Sequence, residues 1–263
     1  MHNALDTVSA SEVDNNPDFK FYREQKALRG ETRDISGVRG AKSPGSPYQL
    51  AAWTLDKYKF LHVMEKTWAM KPDMDWYVII DADSYVFWSN MVIWLGTMDP
   101  NLKSYFGSEV NIAGERFANG GSGIVMSRAA VHDIVVTHRG TAARWDSNIR
   151  GRCCGDLVLS LAFNEYGIEL QDVWLLMSGE TPSSMPFGPG TPEYMCIPVL
   201  SMHHLTPTDM RELAEFEQRR PRSSVRGPLL ALNALPEGLD MLTLALGIAD
   251  PCRNLQKSCD VFY

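Results

Sequence analysis

Apolar residues recur at helical spacing between Gln49 and Met70, at Leu50, Trp53, Tyr58, Leu61, Met64 and Trp68, and the run stops before Pro72. That periodicity predicts one long amphipathic helix. A short apolar run rich in β-formers, Trp76 to Ile80, predicts a buried strand leading straight into Asp81-Ala82-Asp83. A second helical stretch, Asn90 to Met98, ends at Asp99-Pro100. The alternation continues with a strand over Ser104 to Val110 and a helix over Ser127 to His138, with Ser127 at its cap. A helix over Asp156 to Tyr166 and strands over Ile168 to Trp174 and Ile197 to Met202 follow. Thr206-Pro207 then supplies a cap and a first-turn proline for a helix through about Arg219. Strand, acidic tip and helix in succession predict an α/β domain whose site lies at the carboxyl edge of its sheet.

Punctuation divides the rest. Gly30 to Pro47, with four glycines and two prolines, reads as a loop. After Pro221 the pattern weakens, and the leucine-rich Leu229 to Leu246 is broken by Pro236 and Gly238, so no element is assigned there. The expected organisation is an N-terminal segment and loop over 1–48, a catalytic core over 49–220 and a tail over 221–263.

At 263 residues, 44% hydrophobic and 22% charged, the chain is long enough to bury a substantial core. Its net charge of −7 argues against a nucleic-acid partner, because phosphate binding leaves a basic face, and the basic residues cluster only between Arg219 and Arg226. No stretch approaches the length of a membrane span, and the polar start lacks the pattern of a signal peptide. The five cysteines, Cys153, Cys154, Cys196, Cys252 and Cys259, lack paired spacing for zinc and suggest one or two bridges formed in an oxidising lumen.

Four groups of residues carry candidate chemistry. Asp81 and Asp83, at the end of an apolar strand, are hard oxygen ligands for magnesium or manganese, provided that a turn brings both to one side. An isolated Asp-x-Asp is more often a pair of solvated loop acids; the apolar run before it favours the site. Asn119 is followed by Gly120, Gly121, Ser122 and Gly123, where glycines allow close approach and amide donors suit a sugar or phosphate, although a tight turn alone explains such a cluster. Asp156, after Cys153-Cys154-Gly155, sits where a helix cap belongs; it is also placed to act as a general base toward an acceptor hydroxyl. His203 and His204 end a strand, and alternation sends one imidazole inward and the other away, so one of them suits a metal.

In this order and spacing the pieces resemble glycosyltransferase family 31, the Fringe and core 1 β1,3-galactosyltransferase type, and its fungal members above all. The resemblance rests on Leu55 to Phe60, Trp76 to Tyr85, Asn119 to Gly123, Cys153 to Asp156, Gly179 to Pro182 and Ser201 to Leu205, and covers about Asp14 to Arg220. It implies a Rossmann-like nucleotide-diphospho-sugar transferase fold of the GT-A type, with manganese or another divalent cation under the diphosphate of a UDP-sugar donor. It also implies inverting transfer of a hexose, galactose by family weight, to a glycan or glycoprotein hydroxyl, with a β1,3 linkage. Asp83 is then the main metal carboxylate, Asp81 lies near the ribose or the metal, His203 is the second metal ligand and Asp156 is the base, although the family commonly has Glu-Asp where this chain has Gly155-Asp156. The family further implies a Golgi or secretory-lumen setting as a type II membrane protein. Its strands that contact uracil and ribose precede the region matching Asp14, so an N-terminally incomplete fold is expected. A bridge from Cys196 to Cys153 or Cys154 is expected on the same grounds, tying the base to the metal ligand.

Two other classes fit parts of the pattern. Ile79 to Ser84 also suits a haloacid-dehalogenase-like phosphatase with Asp81 as nucleophile, but the glycine cluster, Asp156 and the histidine pair have no role in that chemistry. A truncated relative that binds sugar or acts as a scaffold without catalysis is the non-enzymatic alternative.

Overall fold

The computed structural model describes residues 3–30, 51, 54–185 and 198–219. The chain is α/β. Its strands are β1 (Trp76–Ile79), β2 (Tyr85–Val86), β3 (Tyr105–Gly107), β4 (Glu109–Ile112), β5 (Glu115–Ala118), β6 (Ile124–Ser127), β7 (Leu170–Asp172) and β8 (Ser201–Met202). The helices are α1 (Ala10–Asn15), α2 (Lys20–Gly30), α3 (Phe60–Met70), α4 (Trp88–Leu95), α5 (Arg128–His132), α6 (Thr141–Trp145), α7 (Gly155–Asn164) and α8 (Pro207–Arg219). A mixed four-stranded sheet runs in the order β1-β6-β3-β7. β6 pairs antiparallel with both β1 and β3, and β3 pairs parallel with β7. β2 and β8 form a separate antiparallel pair with Tyr85 opposite Met202.

Most predicted elements are present with shifted ends. Ser127 caps α5 as expected, its Oγ accepting from the Ala130 amide at 3.2 Å, and the helix runs on as a single π-helical turn over Asp133–Thr137. Thr206 and Asp209 cap α8 reciprocally: the Thr206 amide donates to Asp209 Oδ2 and the Asp209 amide donates to Thr206 Oγ1. The strand predicted over Ile197 to Met202 is regular only at β8, and that over Ile168 to Trp174 only at β7.

Two predictions need correction. The helix expected without interruption from Gln49 breaks into a turn at 57–59 before α3 begins. Tertiary contacts override the periodicity there. Lys57 is buried, donating to the Arg150 carbonyl at 2.9 Å and pairing with Asp18 at 2.8 Å, while the buried Tyr58 donates to Asp18 Oδ2. The strand expected over Ser104 to Val110 divides at Gly107, where a side chain would meet the Ala118 methyl group at 2.4 Å. The chain instead leaves the sheet as the β4–β5 hairpin, whose two-residue loop puts Ala113 and Gly114 at φ +54° and +88°.

The N-terminal residues belong to the same core as α3, β3 and α7. Leu5, Val8, Phe19 and Phe21 are buried in one apolar cluster with Leu61, Met64, Tyr105, Val158 and Phe163. Gly30 to Pro47 lies outside the described residues beyond Gly30, as do the leucine-rich stretch and the tail over 221–263. Among the described residues no helix is long and apolar enough to cross a membrane.

Candidate active site

β1 ends at Ile79, and a turn closed by the Ser84 amide donating to the Asp81 carbonyl at 3.2 Å reverses the chain into β2. Asp83 is held beside the end of β8 because its carbonyl accepts from the Leu205 amide at 3.0 Å. Its carboxylate thereby faces the two imidazoles: Oδ1 lies 3.4 Å from His203 Nε2 and Oδ2 lies 3.9 Å from His204 Nδ1. The donor atoms of Asp83, His203 and His204 all fall within 4.8 Å of one another.

His204 is the member of this group that sequence reasoning did not single out. Strand alternation sends it away from His203, but β8 ends at Met202 and His204 takes a left-handed φ of +59°. That turn brings its ring back, stacked on His203 with centroids 3.8 Å apart. Asp81, expected as a ligand, does not join this group. Its residue is exposed, yet the atoms around its carboxyl desolvate it enough to raise its pKa, and the charge of Asp56 raises it further.

The donor set fits a divalent cation. His203 is buried, and burial and the neighbouring His204 hold its pKa below the ordinary histidine value, so at neutral pH the ring is uncharged. In the tautomer that carries its proton on Nδ1, the neutral ring turns a lone pair toward the Asp83 carboxylate oxygen at 3.4 Å, an arrangement that a cation between them satisfies. Neighbouring ligands on one ion, at about 2.1 Å from it, stand about 3 Å apart. By ligand type, two imidazoles with one carboxylate suit zinc or iron best, manganese after them and magnesium least.

The loop after Asn119 has a different role from the expected one. Its amides do not face a ligand, because all four are already used. Gly120 donates to Asp156 Oδ2 at 3.0 Å, Gly121 and Ser122 donate to Asn119 Oδ1 at 2.9 and 3.3 Å, and Gly123 donates to the Gly120 carbonyl at 3.0 Å. The loop is itself fixed by Ser84 Oγ donating to the Gly121 carbonyl at 2.6 Å and by Ser201 Oγ donating to the Ser122 carbonyl. The glycines are required by close approach. A Cβ on Gly121 would fall 1.9 to 2.3 Å from the His203 ring, and one on Gly120 would meet the Phe60 ring at 3.1 Å. Gly123 adopts φ +99°, which L residues avoid.

Asp156 opens α7, and the same loop holds its side chain. Besides the Gly120 amide on Oδ2, the Leu157 amide donates to Oδ1 at 2.9 Å. Burial raises the pKa of this carboxyl above the usual aspartate value, and the two amides offset that only in part. The base candidate thus rests on Gly120 and the His203 ring rests on Gly121. Gly120 and Gly121 are consecutive, their α-carbons about 3.8 Å apart, so one short loop touches both groups.

No protein-family model matches the chain, and no curated protein matches it. The site is therefore read from its own chemistry.

Cys153 and Cys154 lie at disulfide distance from each other. The bridge expected to Cys196 lies outside the described residues, as do Cys252 and Cys259. Phe60, the last residue of the Leu55 to Phe60 stretch, has its ring wedged between Gly120 and Gly155. A Cβ on Gly155 would meet Phe60 Cδ2 at 2.3 Å and the Asp56 carbonyl at 2.9 Å.

These contacts give a direct prediction. Gly121→Ala drives a methyl group into the His203 ring, so we expect a stability loss of about 1–3 kcal/mol together with weakened manganese binding, read by denaturant unfolding and by calorimetric titration. Unchanged metal affinity would mean that the His203 ring is not a ligand.

Proposed function

We propose that the chain is a metal-dependent, inverting glycosyltransferase, resembling family 31 with a GT-A type fold, that moves a hexose from a UDP-sugar to a hydroxyl of a glycan or glycoprotein. One observation supports this reading above the others: a part-buried, desolvated carboxylate is held on Gly120 while a group of three candidate metal donors abuts Gly121. Transfer with inversion needs both features near each other, a base for the attacking hydroxyl and a positive centre for the departing diphosphate.

When bound, the divalent ion neutralises charge on the leaving diphosphate. The residues of the chain do the rest. Asp83, His203 and His204 hold the ion, and Asp156 accepts the proton of the acceptor hydroxyl through whichever oxygen faces it. The raised pKa of Asp156 suits this work, since a stronger base takes the proton more readily. Galactose is the family-weighted donor sugar, and a Golgi or secretory lumen is the family-weighted setting.

A phosphatase reading with Asp81 as nucleophile gains nothing from this geometry. In that chemistry the Asp156 carboxyl and the two histidines are left without a task.

The test is a panel of UDP-hexoses with manganese and simple glycoside acceptors, with released UDP measured before and after chelation. Acceptor-dependent UDP release that chelation stops supports the reading; its absence across the panel in folded protein contradicts it. The pH profile adds a second check. Asp156 must be ionised to act, and a raised pKa keeps it protonated to a higher pH. The acid limb of kcat/KM is therefore expected above the ordinary aspartate value of 3.8 and is expected to disappear with that residue's carboxyl.

A further inference from the structure

If the proposed transfer is correct, the donor brings a diphosphate, and the site needs something beyond the metal to hold it. The glycine loop is not available, because its amides are bound to Asp156, Asn119 and Gly120. The surroundings are acidic: the charges of Asp56 and Asp83 both act on Asp81, and Asp56 also acts on Asp156. A diphosphate entering such a site meets repulsion unless a side-chain cation answers it.

Two lysines stand on the turn that borders the site, and the structure distinguishes them. Lys57 is buried, and its ammonium group is already engaged by Asp18 and the Arg150 carbonyl. Lys59 is open, with 39% of its side chain exposed, and its one described ion pair is to Asp56 at 3.0 Å, three residues away and equally exposed. Such a surface pair is weak and readily exchanged. Lys59 lies near enough to Asp81 for its charge to act on that carboxyl.

The turn is also anchored. Phe60, the next residue, fills the space between Gly120 and Gly155, and the Asp56 carbonyl abuts Gly155. The residues that carry Lys59 are thus fixed against the same two glycines that flank the candidate base.

We propose that Lys59 is the side-chain cation that receives the donor diphosphate, exchanging its ion pair with Asp56 for phosphate oxygens. Asp56 holds the ammonium group in place while the site is empty and loses its partner on binding. Its role is positioning, and its own charge opposes the incoming anion.

The experiment is calorimetric titration of the full chain, with manganese present, using UDP, inorganic pyrophosphate and uridine, on the wild type, Lys59→Ala, Lys59→Gln and Asp56→Ala. Manganese alone is titrated into each as a control. Loss of a charge-assisted contact predicts UDP and pyrophosphate binding weakened about tenfold or more in both Lys59 variants, with manganese and uridine binding unchanged. Asp56→Ala is expected to move the other way and tighten both anions. Lys59 variants that bind UDP and pyrophosphate like the wild type overturn the proposal while leaving the transferase reading intact. Equal weakening of manganese, uridine and anions overturns it in favour of a structural role for the turn. A wild type that binds manganese but neither anion overturns both readings.

Discussion

Asp156→Asn is expected to reduce sugar transfer by about 10²–10⁴-fold, the usual contribution of a general base, while UDP and manganese bind as they do to the wild type. The substitution keeps the shape of the side chain and its place against Gly120. Its amide oxygen still accepts one of the two backbone hydrogen bonds now made by Oδ1 and Oδ2. The other amide loses its acceptor, so a stability loss of about 1 kcal/mol is expected, too small to remove the fold. What disappears is the ability to take a proton. Initial-rate kinetics beside calorimetric binding separate the two effects: retained transfer would exclude Asp156 as the base, and a collapse of UDP binding together with transfer would assign it to assembly of the site.

His203→Ala has the second largest expected effect, and on a different quantity. Removing one of three donors should weaken manganese binding beyond the about 10–100-fold that loss of a ligand's supporting partner costs. The remaining pair, Asp83 with the exposed His204, is a poor chelate. The fold should survive, because His203 Nδ1 makes no hydrogen bond among the described residues, and the space vacated lies against Gly121 rather than inside the sheet. Calorimetric titration of manganese alongside thermal unfolding checks this. Unaltered manganese affinity would remove His203 from the metal group and leave the Asp83 cluster without its buried member.

The parts of this structure that were legible in the sequence are those governed by short-range rules. The caps at Ser127 and Thr206 follow from hydroxyls placed before helical runs, and β1 follows from an apolar stretch bounded by turns. Asp83 and Asp156 were visible because each acid sits at the junction of an apolar run with a turn or a helix start. The features that escaped prediction depend on contacts distant in sequence. Nothing local to Asp56-Lys57-Tyr58-Lys59 signals that Asp18 and Arg150 will draw Lys57 inward and break the helix. The position of His204 depends on a strand that ends two residues earlier than alternation assumes, and on a left-handed turn that a histidine rarely takes. The glycine cluster was singled out for amides pointing at a ligand; those amides are bonded within the loop and to Asp156, and the glycines stand where the His203 and Phe60 rings approach. Composition alone does not separate those two uses of glycine, whereas the distances do.

The central claim is that Asp83 and the two imidazoles form a metal site which in turn forms a UDP site. It is tested most directly by thermal unfolding of the full chain with UDP, with manganese and with both, beside Asp83→Ala. The account predicts that manganese raises the wild-type melting temperature, that UDP raises it further only when manganese is present, and that Asp83→Ala loses both responses while melting at a similar temperature without ligand. A wild type that responds to neither, or an Asp83→Ala variant that responds like the wild type, would contradict it.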